Sequence, residues 1–281
     1  MISVIIPAYN EENSIEHTVL SVSKEFERLK TDADIIVVND GSTDNTGDII
    51  TNLVNVVNCK RIHHNKNKGY GAALKTGIEH ATGDWILIID ADGTYPAACI
   101  GDLLRHKDTA DMIVGSRNIR GQYLRRTPKY VLKKLSEWIT GVKIYDLNSG
   151  LRLIKKSIVV RYMKNLPDGF SFTTTITLLM PINGFDICYV PIGYDQRTGK
   201  SKIRPVKDTL RFIDLIMSVS VLYRPKKIYN PLGLALGLIA GIKVVCDYMR
   251  MGHVANSTIM MGCVAIVAFM FGYMLYAVQN R

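Results

Sequence analysis

The run Trp85-Ile86-Leu87-Ile88-Ile89-Asp90-Ala91-Asp92 ends an apolar, strand-like segment with two carboxylates two positions apart. In extended backbone such residues point to the same side. Asp90 and Asp92 can therefore face one divalent cation, Mg²⁺ or Mn²⁺, whose other positions go to water and substrate phosphates. A lone D-x-D also caps turns, and it is the neighbouring motifs that give this one weight. VVNDGSTDNT places Asp40 at another strand end, where it suits base or ribose recognition. Ser42, Thr43 or Asp44 can cap the helix that follows, which leaves the role of Ser42 open. NKNKGYGAALKTG offers Lys68 and a Gly69–Gly71 turn into a helix, fit for phosphate or ribose contacts.

Two look-alikes fail on spacing. The glycine turn imitates a dinucleotide fingerprint, but Leu74 occupies the third glycine position and the motif follows the third strand, which argues against an NAD enzyme. Gly199-Lys200-Ser201 invites a P-loop reading, yet Tyr194 stands where the upstream glycine belongs and Pro205 follows closely. What remains there is a basic loop. Its Arg197, Lys200 and Lys202 either grip an anionic group or form a solvated face toward lipid head groups. His63-His64 reads as a strand edge without chemical role, and no Ser-His-Asp arrangement has supporting context.

These residues need a scaffold that gathers strand ends. Short β-branched runs alternate with helix-period segments: strands Ser3–Ile6, Asp34–Val38, Val54–Asn58, Trp85–Ile89 and Met112–Val114, and helices Ile15–Leu29, Asp44–Leu53, Tyr70–Ala81 and Pro96–Arg105. The alternation predicts an α/β domain with a mostly parallel sheet. Ligands bind such sheets beyond the carboxyl ends of the strands, where Pro7–Glu12, Asn39–Thr46, Lys68–Gly71, Asp90–Tyr95 and Gly115–Arg117 all fall.

The 281 residues, 47% hydrophobic and 21% charged, exclude disorder and a small stapled scaffold. Five cysteines, an odd number without a C-x-x-C pair, support neither a disulfide framework nor a zinc site. The net charge of +10 concentrates at Arg117–Lys143 and Arg197–Lys227, beside apolar helix-patterned sequence, and so points to lipid head groups before nucleic acid. Val206–Tyr223 is expected at the lipid interface; Tyr130–Ile139 fits either the interface or the domain core.

MISVIIPAYNEE is too short an apolar run for a signal peptide, so the N-terminal domain is expected to stay cytoplasmic. Ser257–Gln279 carries no charge and is long enough to span a bilayer. A second span is expected over Tyr229–Cys246, with Asn230 as N-cap, Pro231 at the first helical position and Lys243 snorkelling. Basic residues flank the pair, whereas only Arg250 lies between, so both termini are expected in the cytoplasm. The organisation expected is a catalytic domain over 1–203, an interfacial segment over 204–228 and a membrane hairpin over 229–281. Gly233, Gly237 and Gly241 recur every fourth residue; they either mark a packing face, which would allow a homo-oligomer, or reflect the frequency of glycine in membrane helices.

In this order PAYNEE, VVNDGSTDNT, KNKGYGAAL, DADGTYP, NSGLRLIKK and R-x-G-K-S-K resemble family 2 glycosyltransferases of the GT-A fold. They are most similar to the polyprenyl-phosphate sugar synthases of the dolichyl-phosphate mannose synthase type. The resemblance covers about the first 227 residues and the C-terminal hairpin. It implies nucleotide contacts at Pro7, Ala8, Tyr9, Glu11 and Asp40, and Lys68 near the nucleotide or its phosphates. It puts Asp90 and Asp92 at the metal–diphosphate unit, and Arg117 and Arg197 at the lipid phosphate with Lys200 and Lys202 nearby. Asp92, Arg117 and Arg197 would then carry the catalysis. Where some relatives have a glutamine ligand this chain has Thr94, a third metal-site candidate ranked below the aspartates.

Relatives that extend polysaccharides need a carboxylate base in the region matching GFSFTTTITLL, which here holds Thr173, Thr174 and Thr175 and no acid. A phosphate monoester, with a second pKa of about 6, is already an anionic nucleophile. The resemblance thus implies sugar transfer from a nucleotide diphosphate sugar, UDP by family analogy, to a membrane polyprenyl phosphate. Asp146 or Asp168 could instead serve a saccharide acceptor, and Gln122–Arg126 faintly matches the Q-x-x-R-W motif of polysaccharide synthases. A catalytically silent sugar-nucleotide-binding subunit is the reading from another class.

Overall fold

The computed structural model describes residues 1–117, 128–195 and 205–279. The chain divides into two compact units, Met1–Phe212 and Ile213–Arg281.

The first unit is built on seven strands: β1 (Ile2–Ala8), β2 (Ala33–Asn39), β3 (Cys59–His63), β4 (Trp85–Ile88), β5 (Met112–Ser116), β6 (Arg152–Lys155) and β7 (Ile187–Pro191). They lie in the order β3-β2-β1-β4-β6-β5-β7. All run parallel except β6, which is antiparallel to both β4 and β5. β1 and β4 are buried along their whole length, as strands covered on both faces must be. The α-helices between the seven strands are α1 (Ile15–Arg28), α2 (Thr46–Leu53), α3 (Tyr70–His80), α4 (Cys99–Arg105), α5 (Pro128–Thr140), α6 (Lys156–Tyr162) and α7 (Phe172–Ile182). With this topology the carboxyl ends of β1 to β5 share one edge of the sheet, the expected mostly parallel α/β arrangement.

Two parts of the sheet differ from expectation. The third strand is Cys59–His63, not Val54–Asn58. The amides of Val54 and Val57 donate to Ile50 and Leu53 carbonyls at 3.3 and 2.8 Å, so they finish α2 and are spent before any ladder can use them. β6 and β7 were not foreseen. β6 has only four residues and opens with a buried arginine, a poor strand signal.

Helix α8 (Pro205–Tyr223) carries the chain into the second unit, which holds α9 (Pro225–Met251) and α10 (Asn256–Gln279). Both α9 and α10 are long and apolar enough to cross a membrane. α9 starts earlier than expected: Arg224 is its N-cap, Pro225 takes the first-turn position that suits proline, and Asn230-Pro231 lie inside the helix. It ends at Gly252 in the left-handed conformation, φ 70°. Asp247 closes the hairpin by accepting the Ala255 amide at 3.2 Å and the Thr258 hydroxyl. Of the three spaced glycines only Gly233 is tightly enclosed, a Cβ there lying 2.9 Å from the Ala265 carbonyl and from Phe269. Gly241 meets open space, so α10 of the same chain occupies one end of the glycine face. Near the other ends of the two helices, Lys226 Nζ stands 3.5 Å from the Tyr276 ring centroid and 4.4 Å from that of Tyr273.

Candidate active site

The loops after β1 and β2 are stitched together. Asn10, at φ 53°, donates its amide to Ser42 Oγ at 3.0 Å and accepts the Thr43 amide on Oδ1 at 2.8 Å. The Glu11 amide donates to Thr46 Oγ1 at 2.9 Å, and Glu12 accepts the Asn45 amide at 3.0 Å. Ser42 therefore secures the neighbouring loop. Pro7 and Ala8 are buried within β1, whereas Tyr9 and Glu11 are half-buried just beyond it.

Asp40 is 2% exposed. Its Oδ1 accepts the Lys68 amide at 2.9 Å and faces His64 Nδ1 at 2.7 Å, while Oδ2 accepts the Gly69 amide at 2.8 Å. The Asp40 carboxylate, expected at the base or ribose, thus also braces the Lys68–Gly69 turn. The Lys68 side chain is exposed. Gly69 has φ 105°, and side chains at Gly69 and Gly71 would strike the backbone of Asp168 and Pro167. The close approach lets Ala72 donate to the Asp168 carbonyl at 3.0 Å. His63 ends β3, the edge strand of the sheet, as expected, and His64 just past it is buried, its Nε2 3.0 Å from Thr76 Oγ1.

β4 delivers Asp90 and Asp92 to the same edge. Tyr70 donates its hydroxyl to Asp90 Oδ1 at 2.7 Å, and Gly150 sits so near that a Cβ would coincide with the Asp90 carboxylate. Burial, and then the charge of Asp92, push Asp90 up to about 6; the Tyr70 bond, Arg117 and Arg152 pull it back. A buried carboxylate raised by desolvation, with a second carboxylate two residues on, is a donor pair that a cation relieves. Among the described residues no third His, Cys, Asp or Glu joins them, so a divalent ion there would complete its shell with phosphates and water. Thr94 is fully buried and gives its hydroxyl to Asp92 Oδ1 at 2.6 Å and its amide at 3.2 Å. Its hydroxyl thus braces Asp92, one of the two aspartates beside which it was expected.

Arg117, just past β5, forms a bidentate pair with Asp146 through Nε and Nη2 at 2.8 and 2.9 Å. Its guanidinium lies over Tyr194 and Tyr95, 5.2 and 6.0 Å from their centroids. Burial would lower its pKa, but the Asp146 bonds and the Tyr95 ring outweigh burial and raise it. Arg152 is fully buried, donating to the Ser149 carbonyl from Nε and Nη2 at 3.0 and 2.7 Å, and from Nη1 to the Thr173 carbonyl and Thr177 Oγ1 at 3.1 and 3.0 Å. It ties the Asn148–Gly150 turn to α7, and Tyr95 Oη accepts the Gly150 amide at 2.6 Å. Nothing in the spacing of NSGLR points to these tasks of Gly150 and Arg152. Arg197, Lys200, Lys202 and the Gln122–Arg126 stretch lie outside the described residues.

A family model, "Glycosyl transferase family 2", matches residues 3–162. An undecaprenyl-phosphate 4-deoxy-4-formamido-L-arabinose transferase of Pseudomonas fluorescens (strain Pf0-1) is 26% identical over 265 residues, 91% of this chain and 75% of the relative. CsbB of Bacillus subtilis (strain 168) is 28% identical over 202 residues, 70% of this chain but only 57% of that protein. Glucosyl-3-phosphoglycerate synthase of Mycobacterium tuberculosis, solved with Mn²⁺, uridine diphosphate and phosphoglyceric acid, superposes with a TM-score of 0.58 at 22% identity, covering 78% of each chain. That likeness establishes the GT-A fold, with its strand-end cleft, for the first unit. Together with the family match over more than half of its length, it identifies the chain as a glycosyltransferase belonging to family 2.

Proposed function

We propose that this glycosyltransferase moves a hexose-type sugar, with inversion, from a UDP-sugar to a polyprenyl phosphate at the cytoplasmic face of a membrane. The observation that carries the reading is the commitment of the acids on the acceptor side. α7 has none. Asp146 is 2% exposed and spent on Arg117, and Asp168, whose exposed carboxylate meets Lys75 at 2.7 Å, stands at the Gly69–Gly71 turn on the donor side of this reading. The α7 threonines are buried and bonded: Thr175 to the Ser171 carbonyl at 2.9 Å, Thr177 to that of Thr173 at 2.7 Å, and Thr174 to Asn148. A sugar hydroxyl would need a base there; a phosphate brings its own negative oxygen. The Pseudomonas relative, by its name, acts on undecaprenyl phosphate, which supports the same acceptor class.

In this reading Tyr9, Glu11 and the Lys68–Gly69 turn bind the nucleotide. Mg²⁺ or Mn²⁺ held by Asp90 and Asp92 would supply positive charge to the departing diphosphate. Arg117, fixed by Asp146, joins Arg197, Lys200 and Lys202 in holding the acceptor phosphate for in-line attack on the anomeric carbon. α9 and α10 anchor the chain with both termini cytoplasmic.

The test is transfer by the purified full-length chain from labelled UDP- and GDP-sugars to a short polyprenyl phosphate, with Mn²⁺, with EDTA and with Asp92→Asn. Metal-dependent lipid-linked product, lost in the variant, is expected. Extension of a saccharide acceptor instead would overturn the reading in favour of a sugar-to-sugar transferase. Nucleotide-sugar binding without turnover on any acceptor would mark a silent subunit.

A further inference from the structure

Asp40 and the turn that it braces depend on a buried residue with no part in the reaction outlined above. His64 follows β3 directly, is 5% exposed, and donates its amide to the Asn39 carbonyl at 2.9 Å. Its ring is held at both nitrogens, with Nδ1 2.7 Å from Asp40 Oδ1 and Nε2 3.0 Å from Thr76 Oγ1 on α3. A carboxylate oxygen only accepts, so the hydrogen between His64 and Asp40 is assigned to Nδ1.

From Asp40 the chain of contacts continues to the amides of Lys68 and Gly69. Gly69, at φ 105°, is the N-cap of α3, and the next residue, Tyr70, reaches Asp90 Oδ1 at 2.7 Å. One line of bonds thus runs Thr76, His64, Asp40, the Lys68–Gly69 turn, Tyr70, Asp90. It joins the part of the cleft read as nucleotide-binding to the carboxylate pair. Buried polar networks of this kind rigidify a site when every member is satisfied and are costly when one is removed.

The structure assigns His64 as a positioning residue for donor binding: with Thr76 it presses the Asp40 carboxylate against the Lys68–Gly69 turn and so sets where Lys68 and Tyr70 stand. The assignment rests on the nucleotide-sugar site proposed above but not on which acceptor is used.

His64→Leu, His64→Asn and Thr76→Val in the full-length chain test it through two readouts, amide hydrogen exchange across 66–72 and binding of UDP with Mn²⁺ by calorimetry. Asparagine can place its amide nitrogen where Nδ1 stands and keep the donor to Asp40; leucine only fills space. With one buried acceptor unmade, His64→Leu is expected to speed exchange at Lys68 and Gly69 and to weaken UDP, each by about tenfold. β1, β2 and β4 should stay protected. His64→Asn should return both readouts to within about threefold of the parent, since a single neutral hydrogen bond separates the variants. Thr76→Val should give a smaller effect, absent in the His64→Leu background because the two act in one line.

If His64→Leu does not fold, faster exchange confined to Lys68 and Gly69 in Thr76→Val carries the test. Unchanged exchange in both His64→Leu and Thr76→Val would overturn the assignment. So would His64→Asn being as impaired as His64→Leu, because the ring would then matter only for packing. Exchange is read without nucleotide or acceptor, so failure of the acceptor reading leaves this result standing on its own.

Discussion

Arg117 and Asp146 meet as a planar, two-bond pair, Nε to Oδ2 at 2.8 Å and Nη2 to Oδ1 at 2.9 Å, with the carboxylate almost wholly enclosed and a quarter of the arginine side chain exposed. Such a pair aims an arginine: two parallel bonds fix the guanidinium plane.

Asp146→Asn should therefore disturb the acceptor side before the donor side. Loss of one partner of a buried pair costs about 3 kcal/mol, visible as a lower midpoint in denaturant. The KM for polyprenyl phosphate should rise about tenfold, the equivalent of one charge-assisted hydrogen bond, with the KM for the nucleotide sugar little changed. Arg117→Lys should also raise the polyprenyl phosphate KM, because an ammonium lacks the planar fork. Equal effects on both KM values would argue against acceptor positioning by this pair.

Metal removal and Thr94 make a linked prediction. EDTA should abolish transfer and Mn²⁺ or Mg²⁺ restore it. Thr94→Val deletes the hydroxyl that holds Asp92 Oδ1 at 2.6 Å yet keeps the buried shape. The metal concentration for half-maximal activity should rise about tenfold for one lost hydrogen bond to a charged group, and Thr94→Ser should recover most of it. A Thr94→Val enzyme with unaltered metal response would mean that Asp92 is held by its loop alone.

How far the sequence told all this depends on the kind of contact. Asp90, Asp92, Arg117 and the Lys68 turn were legible because β-branched runs alternate with helices and each polar group falls just past a run, a pattern that needs no knowledge of distant residues. β3 was misplaced because Val54 and Val57 look like strand but are captured by the last turn of α2. The buried polar residues were illegible for another reason. His64 makes sense only beside Thr76, and Arg152 only beside Thr177; partners 12 and 25 positions away are brought together by helix packing that spacing does not encode. Thr94 entered as a metal-site candidate because some relatives carry a glutamine ligand at its position; its bond to Asp92 shows only in the direction of its hydroxyl.

The hairpin prediction contrasts two glycines on one helix. Leucine at Gly233 must push into the Ala265 backbone and Phe269, whereas at Gly241 it meets nothing. Overpacking of a tight contact costs about 1–3 kcal/mol, so Gly233→Leu should lower the melting point of the detergent-solubilised protein, with Gly241→Leu as the silent control. If Gly241→Leu is the damaging one, that face packs on a second copy of the chain, and cross-linking should detect the copy.

Gly150 gives the sharpest separation of fold from chemistry. It sits in the turn that Arg152 and Tyr95 fix in place, Tyr95 by accepting its amide at 2.6 Å, and a Cβ there would occupy the space of the Asp90 carboxylate. The obstacle is the end of a side chain, so Gly150→Ala can be accommodated by swinging Asp90 away while the sheet stays intact. That swing breaks the Tyr70 bond and moves one of the two carboxylates proposed to hold the metal. A displacement of about 1 Å in such a site costs about 100-fold in rate. Circular dichroism and the melting curve should therefore stay near the parent while kcat falls by that factor and more metal is needed. Near-parent activity in Gly150→Ala would show that Asp90 has no fixed place in the reaction.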